Sequence, residues 1–166
     1  MRIIKKKNEK SLIREFIQIL KKEINKKKKS KKRLSFVLTG GSSPINLYKK
    51  LAKSKINWSN IDLFWGDERF VSNKSKNSNF KMANDLFIKK LKINKRNLFY
   101  INTKTKDINQ SSLEYQNKIK KYFKNKKINF DYCLLGMGKD GHVASLFPNS
   151  ENLSLKFITK TVTRKD

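Results

Sequence analysis

The chain has few of the residues that cross-link small folds or bind metals. Its single cysteine, Cys133, in 166 residues excludes an internal disulfide and fits a reducing compartment. One histidine, His142, and that cysteine are too few to ligate a metal, so no metal is expected. No apolar run approaches the roughly 18 residues of a membrane span. The opening Met1-Arg2-Ile3-Ile4-Lys5-Lys6-Lys7 carries no signal-peptide hydrophobic block, and the expected setting is cytoplasmic. Two prolines and six glycines leave the chain without a long linker, and it shows no internal repeat. Acidic residues are scarce as well.

Against 13 acidic residues stand 41 Lys and Arg, a formal net charge of +28. Such an excess suggests a nucleic-acid ligand, because lysine and arginine displace counterions from phosphates. The distribution argues otherwise. Lysines are spread over nearly every segment alongside abundant Asn, Ile and Phe, the signature of AT-rich coding. Only Lys26-Lys27-Lys28-Lys29-Ser30-Lys31-Lys32-Arg33 is dense, and it reads as a solvated connector. Nucleic acid is therefore not the expected partner, while a basic field favours the approach of small anionic substrates. With 37% hydrophobic residues the chain has a core to bury and is expected to form one domain over 1–166.

Hydrophobic spacing predicts a helix over Ser11 to Ile24 capped by Ser11, then a strand Leu34–Leu38. Ser42, Ser43 and Pro44 suggest a cap and first-turn proline for a helix through Leu47, Tyr48 and Leu51. Ile61–Trp65 reads as a second strand, followed by a helix through Met82, Leu86 and Phe87. Leu98–Ile101 reads as a third strand, and Leu113, Ile119, Tyr122 and Phe123 as the inner face of a helix. Phe130–Leu135 is expected to be a buried strand and Phe157–Val162 the last one. Strands alternating with helices predict an α/β fold, a Rossmann-like mostly parallel sheet with helices on both faces. Ligands of such sheets collect beyond the carboxyl ends of strands. Three loops are thereby singled out.

Thr39-Gly40-Gly41-Ser42-Ser43-Pro44 combines close backbone approach with a helix N-terminus, suited to an anion; an ordinary strand-to-helix turn has the same composition. Trp65-Gly66-Asp67-Glu68-Arg69 offers a guanidinium for a phosphate or carboxylate, with Asp67 or Glu68 to orient it; a surface ion pair is the bland alternative. Gly136-Met137-Gly138-Lys139-Asp140-Gly141-His142 contains G-x-G-x-x-G, yet the acidic residue a dinucleotide site needs some 20 positions later is missing. Its glycines, Gly138 among them, keep backbone near a small ligand. His142 is a candidate base, with Asp140 to fix its tautomer. Ser145 lacks a nucleophile-elbow setting and reads as structural.

Together the three segments, the last extended through Val143-Ala144-Ser145-Leu146-Phe147-Pro148, resemble the 6-phosphogluconolactonase family, as does Ser78-Asn79-Phe80. The resemblance runs from about Leu34 to Pro148. It implies a fold of the glucosamine-6-phosphate deaminase and ribose-5-phosphate isomerase type, and cofactor-free hydrolysis of 6-phosphogluconolactone in the oxidative pentose phosphate pathway. Gly40, Gly41 and Ser42 would hold the substrate phosphate, with Asp67 and Gly138 lining the substrate site. Arg69 would bind substrate and steady charge, His142 would activate water, and Asp140 would orient His142. Family members continue with a further strand and closing helix, which are expected to be absent here, since the chain stops at Thr163-Arg164-Lys165-Asp166. The oligomeric state is left open by the sequence. A glucosamine-6-phosphate deaminase is the nearest alternative, but it carries Asn-Glu-Pro after its histidine and an Asp-Glu-Tyr type segment earlier. This chain has Leu146-Phe147-Pro148 and Asp67-Glu68-Arg69 instead. A non-catalytic phosphosugar- or nucleic-acid-binding protein is the alternative of another class.

Overall fold

The computed structural model describes residues 3–150, 153 and 156–163. Four parallel strands, β1 (Leu34–Leu38), β2 (Ile61–Trp65), β3 (Leu98–Phe99) and β4 (Tyr132–Cys133), lie in the order β3-β2-β1-β4. β1 and β2 pair along their whole length, Leu34 opposite Ile61 through Leu38 opposite Trp65, and both are buried throughout. Such burial explains their near-continuous apolar sequence, since a parallel strand is covered on both faces. The sheet grows outward from β1 to β3, then returns to place β4 on the other side of β1. That reversal opens a crevice at the carboxyl ends of β1 and β4.

Helices α1 (Glu9–Lys29), α2 (Ile45–Ala52) and α3 (Asn79–Leu86) cover one face, and α4 (Ile108–Tyr122) covers the other. Alternation along each strand divides the core. Leu34, Phe36 and Leu38 join Ile61, Leu63 and Trp65 beneath Leu20, Tyr48, Leu51 and Phe87. Val37 and Phe64 face Tyr115 and Ile119. Phe64 stacks on Phe99 at 4.5 Å and meets Tyr122 and Phe130 edge-on.

Several polar groups inside this core are matched, although the indole N–H groups of Trp58 and Trp65 are buried without a hydrogen-bond partner among the described residues. Arg33 grips Asp62 with two hydrogen bonds of 2.8 and 2.7 Å, and the Tyr122 hydroxyl donates to the same carboxylate at 3.0 Å. At the strand ends, the Tyr48 hydroxyl donates to the Thr39 carbonyl at 2.7 Å and accepts from its N–H at 3.0 Å. Tyr115 does the same for Trp65, at 2.8 and 3.0 Å.

Several local expectations are corrected. α1 begins earlier than Ser11: Asn8 is its cap, accepting from the Ser11 N–H at 2.9 Å while the Ser11 hydroxyl accepts from the Asn8 N–H. The supposed basic connector is helical through Lys29, because lysine is a good helix former and favours the negative C-terminal end. Lys27 also pairs with Asp131. α2 has no serine cap; Pro44 occupies that position and its side chain offers no acceptor. The third strand is two residues long, not four. Leu113 is 56% exposed, and Tyr115 turns inward in its place.

The strand expected at Phe130–Leu135 pairs only at Tyr132–Cys133, and it is not buried. Within the described residues it is an edge, with β1 on one side only, so Cys133 and Leu135 are exposed. Residues 157–162 form no strand. There the Thr159 hydroxyl donates to the Ser112 carbonyl at 2.9 Å and the Thr161 hydroxyl donates to Asn109 at 3.3 Å, tying the segment to α4 by side chains.

Burial pushes the Tyr48 and Tyr115 hydroxyls well above the usual phenol range. Unfolded tyrosines ionise near pH 10, whereas these stay protonated in the fold. The folded state thus holds more protons above pH 10, and stability falls as pH rises, by about 1.4 kcal/mol per pH unit for each such tyrosine. Tyr115→Phe is expected to cost about 1–3 kcal/mol at pH 7 by orphaning the Trp65 backbone, and to flatten the alkaline decline. Denaturant unfolding at pH 7 to 11 checks both.

Candidate functional site

The loops leaving β1, β2 and β4 converge on one cleft of about 180 Å³. Thr39, Gly40, Gly41, Ser42 and Ser43 supply one wall, Asp67 and Arg69 a second, and Gly136, Met137, Gly138, His142 and Ala144 the third. Seven of the residues proposed from sequence line it together: Gly40, Gly41, Ser42, Asp67, Arg69, Gly138 and His142. Asp140 stands behind them against His142.

Each wall has its own device. In the first, Thr39 is held by Tyr48, and Gly41 takes φ +80°, a region that side chains rarely enter. A Cβ on Gly40 would lie 2.0 to 2.4 Å from the Asn79 amide group, so only glycine fits there. Pro44 leaves the start of α2 without a side-chain cap; the Ile45 N–H is taken by the Ser42 carbonyl at 3.2 Å, so it is the turn from Gly40 to Ser43 that faces the cleft.

In the second wall, the acidic residues do not orient Arg69. Glu68 caps α3, accepting from the Asn79 and Phe80 N–H groups at 2.7 Å each and from the Ser78 hydroxyl at 3.1 Å. Asp67 accepts from the Asn79 side-chain amide at 3.2 Å and from the Ser145 hydroxyl at 3.0 Å. The Arg69 guanidinium has no hydrogen bond or ion pair with any of the described residues. It lies exposed on the cleft wall, where its planar fork can take a phosphate.

The third wall is a tight loop. The Gly138 N–H donates to the His142 carbonyl at 2.8 Å and the Gly141 N–H to the Gly138 carbonyl at 3.0 Å. His142 Nδ1 lies 2.6 Å from Asp140 Oδ1. The hydrogen bond with His142 holds the Asp140 carboxyl below the usual carboxylate range. An ionised carboxylate only accepts, so the tautomer this contact favours in the neutral imidazole has its proton on Nδ1 and its lone pair on Nε2. Phe147 packs against the imidazole at 5.1 Å between ring centroids. The arrangement is suited to proton transfer beside a bound anion. Among the described residues no group of three or more His, Cys, Asp and Glu side chains could hold a metal. No described helix is long and apolar enough to cross a membrane.

Sequence reasoning missed the anchoring roles of Asn79 and Glu68 and the bridge from Ser145 to Asp67. Asn79 sits in the Ser78-Asn79-Phe80 segment that carries part of the family resemblance, but no local signal assigns it this anchoring role.

The family model for glucosamine-6-phosphate isomerases/6-phosphogluconolactonase matches residues 7–164. A 6-phosphogluconolactonase of Nostoc sp. is 33% identical over 159 residues, covering 94% of this chain and 66% of that protein. The crystal structure of a 6-phosphogluconolactonase from Thermotoga maritima superposes with a TM-score of 0.72 at 33% identity, over 85% of this chain and 64% of that one. A monomeric glucosamine-6-phosphate deaminase shares the fold, with a TM-score of 0.74 at 21% identity, over 87% of this chain and 58% of that one. The chain thus spans less than two thirds of the length of these relatives.

Gly138 is the sharpest local constraint in the third wall: a Cβ there would lie 2.2 Å from the His142 ring and 2.6 Å from Asp140 Oδ1. Gly138→Ala is expected to drive the imidazole off Asp140 while leaving the distant core intact. NMR of the chain's one histidine checks this through a changed ring signal, with an unchanged thermal midpoint.

Proposed function

This chain belongs to the family of glucosamine-6-phosphate isomerases and 6-phosphogluconolactonases, and on that footing we propose that it hydrolyses 6-phospho-D-glucono-1,5-lactone to 6-phospho-D-gluconate. The observation that carries the reading is the Asp140–His142 pair, whose imidazole opens into the same cleft as Arg69 and the Gly40-Gly41-Ser42-Ser43 turn. A base and two anion-binding features within one cleft suit a substrate that joins a phosphate to an ester.

In this reading Gly40, Gly41 and Ser42 hold the phosphate through the turn that leads into α2, and Arg69 adds its charge. His142 Nε2 takes a proton from water as the water oxygen bonds to the lactone carbonyl carbon. Loop N–H groups stabilise the resulting oxyanion, by about 3 kcal/mol per well-placed donor. The tetrahedral adduct then expels the ring oxygen, which takes the proton from His142 and becomes a hydroxyl. The new carboxylic acid ionises in water. Asp140 keeps Nε2 available throughout and steadies the imidazolium. No step calls for a metal or an organic cofactor.

The test compares hydrolysis of freshly generated lactone by the wild-type chain, by His142→Ala and by buffer alone, since the lactone also opens unaided. The wild type is expected to exceed buffer, and His142→Ala to lose about 100- to 10,000-fold of the acceleration. A folded wild-type chain that matched buffer would sink the reading and leave a phosphosugar binder. A steep loss of RNA or DNA binding between about 50 and 200 mM salt would mark the nucleic-acid alternative instead.

A further inference from the structure

We infer that Asn79, Asp67 and Ser145 form a strap that fixes the His142 loop to the rest of the cleft, with Ser145 and Asp67 acting as positioning residues for the base. The inference rests on the lactonase reading for its kinetic consequence. Its geometry stands independently.

The three cleft loops belong to different strands, and the backbone ladder ends before it reaches the third. β4 pairs with β1 at two positions, followed by one hydrogen bond from the Leu134 N–H to the Val37 carbonyl. Beyond Leu134 the loop of His142 needs another anchor. Ser145 supplies it by donating to Asp67 Oδ2 at 3.0 Å, across 78 positions of sequence. Asp67 Oδ1 in turn accepts from the Asn79 amide at 3.2 Å, and the same amide nitrogen donates to the Asp67 carbonyl at 3.1 Å. The Asn79 side chain is buried against Gly40, where no Cβ could be accommodated. A continuous chain of contacts therefore runs from the first loop through Asn79 and Asp67 to the third.

Backbone geometry shows that the third loop is shaped for this contact. Val143 and Leu146 exchange two backbone hydrogen bonds, and Ala144 between them takes φ +54°. A non-glycine residue persists in that region only when its surroundings hold it there. The turn presents Ser145 to Asp67, three residues after His142. Electrostatics point the same way. An unshielded carboxylate would repel a phosphorylated, anionic substrate, whereas one whose two oxygens each accept a hydrogen bond is better suited to bracing the wall than to binding that substrate.

Loss of the strap loosens the base more than the phosphate cradle. Ser145→Ala is expected to lower kcat by about ten- to a hundredfold through misplacement of His142, with KM within about twofold of wild type. Ser145→Thr, which keeps the hydroxyl, is expected to recover most of kcat. Ser145→Ala combined with Asp67→Ala is expected to be no worse than the poorer single variant, because both cut the same link. A rise in KM at unchanged kcat, or losses that multiply, would overturn the strap. NMR of the His142 imidazole separates this from failure of the lactonase reading. Ser145→Ala is expected to shift and broaden that signal, and Ser145→Thr to restore it, whether or not the wild type turns over lactone. An unmoved signal overturns the strap on its own.

Discussion

A buried strand that ends inside a protein leaves a backbone N–H and carbonyl that water cannot reach, and the architecture of this chain turns on how two such ends are satisfied. Tyr48 closes the end of β1 from one face of the sheet, and Tyr115 closes the end of β2 from the other. Each hydroxyl both donates and accepts, so each pair of backbone groups is matched by one side chain. The strands therefore stop at a defined point. The loops that follow are free of ladder geometry yet start from fixed positions.

From that constraint the cleft follows. β1 and β2 are in register to their last residues, so the Thr39-Gly40-Gly41 turn and the Gly66-Asp67 turn leave the sheet side by side. The reversal of strand order then places the loop after β4 on the far side of β1. Glycine serves two separate needs here. Gly41 permits a positive φ, while Gly40 and Gly138 make room for Asn79 and for His142. The acidic residues are divided just as clearly. Glu68 caps a helix, Asp67 braces two loops and Asp140 serves the imidazole.

The large positive charge has little part in this arrangement. Arg33 and Lys27 hold buried or half-buried carboxylates, and the Lys81 and Lys89 pairs with Asp85 lie on the helix surface, where such contacts add little. The remaining lysines mostly surround the fold. A small anion approaching the cleft gains from their summed field without any specific contact.

The α/β class, both long strands and the three loops of the cleft were legible in the sequence, because they rest on local signals. Continuous apolar runs mark parallel strands, and glycine clusters mark turns. A lone histidine beside an aspartate marks proton chemistry. The remaining features depended on residues distant in sequence. No local pattern says that Asp67 meets Ser145 or that Tyr115 reaches the Trp65 backbone. Nor does one say that Phe130–Leu135 pairs at only two residues, since apolar content predicts burial and a sheet edge is decided by which neighbours assemble beside it. The sequence by itself determined which residues could do chemistry and on which loops they sit. The tertiary structure alone decided which carboxylate braces, which caps and which serves the base, because those roles depend on distances between segments that only packing brings together.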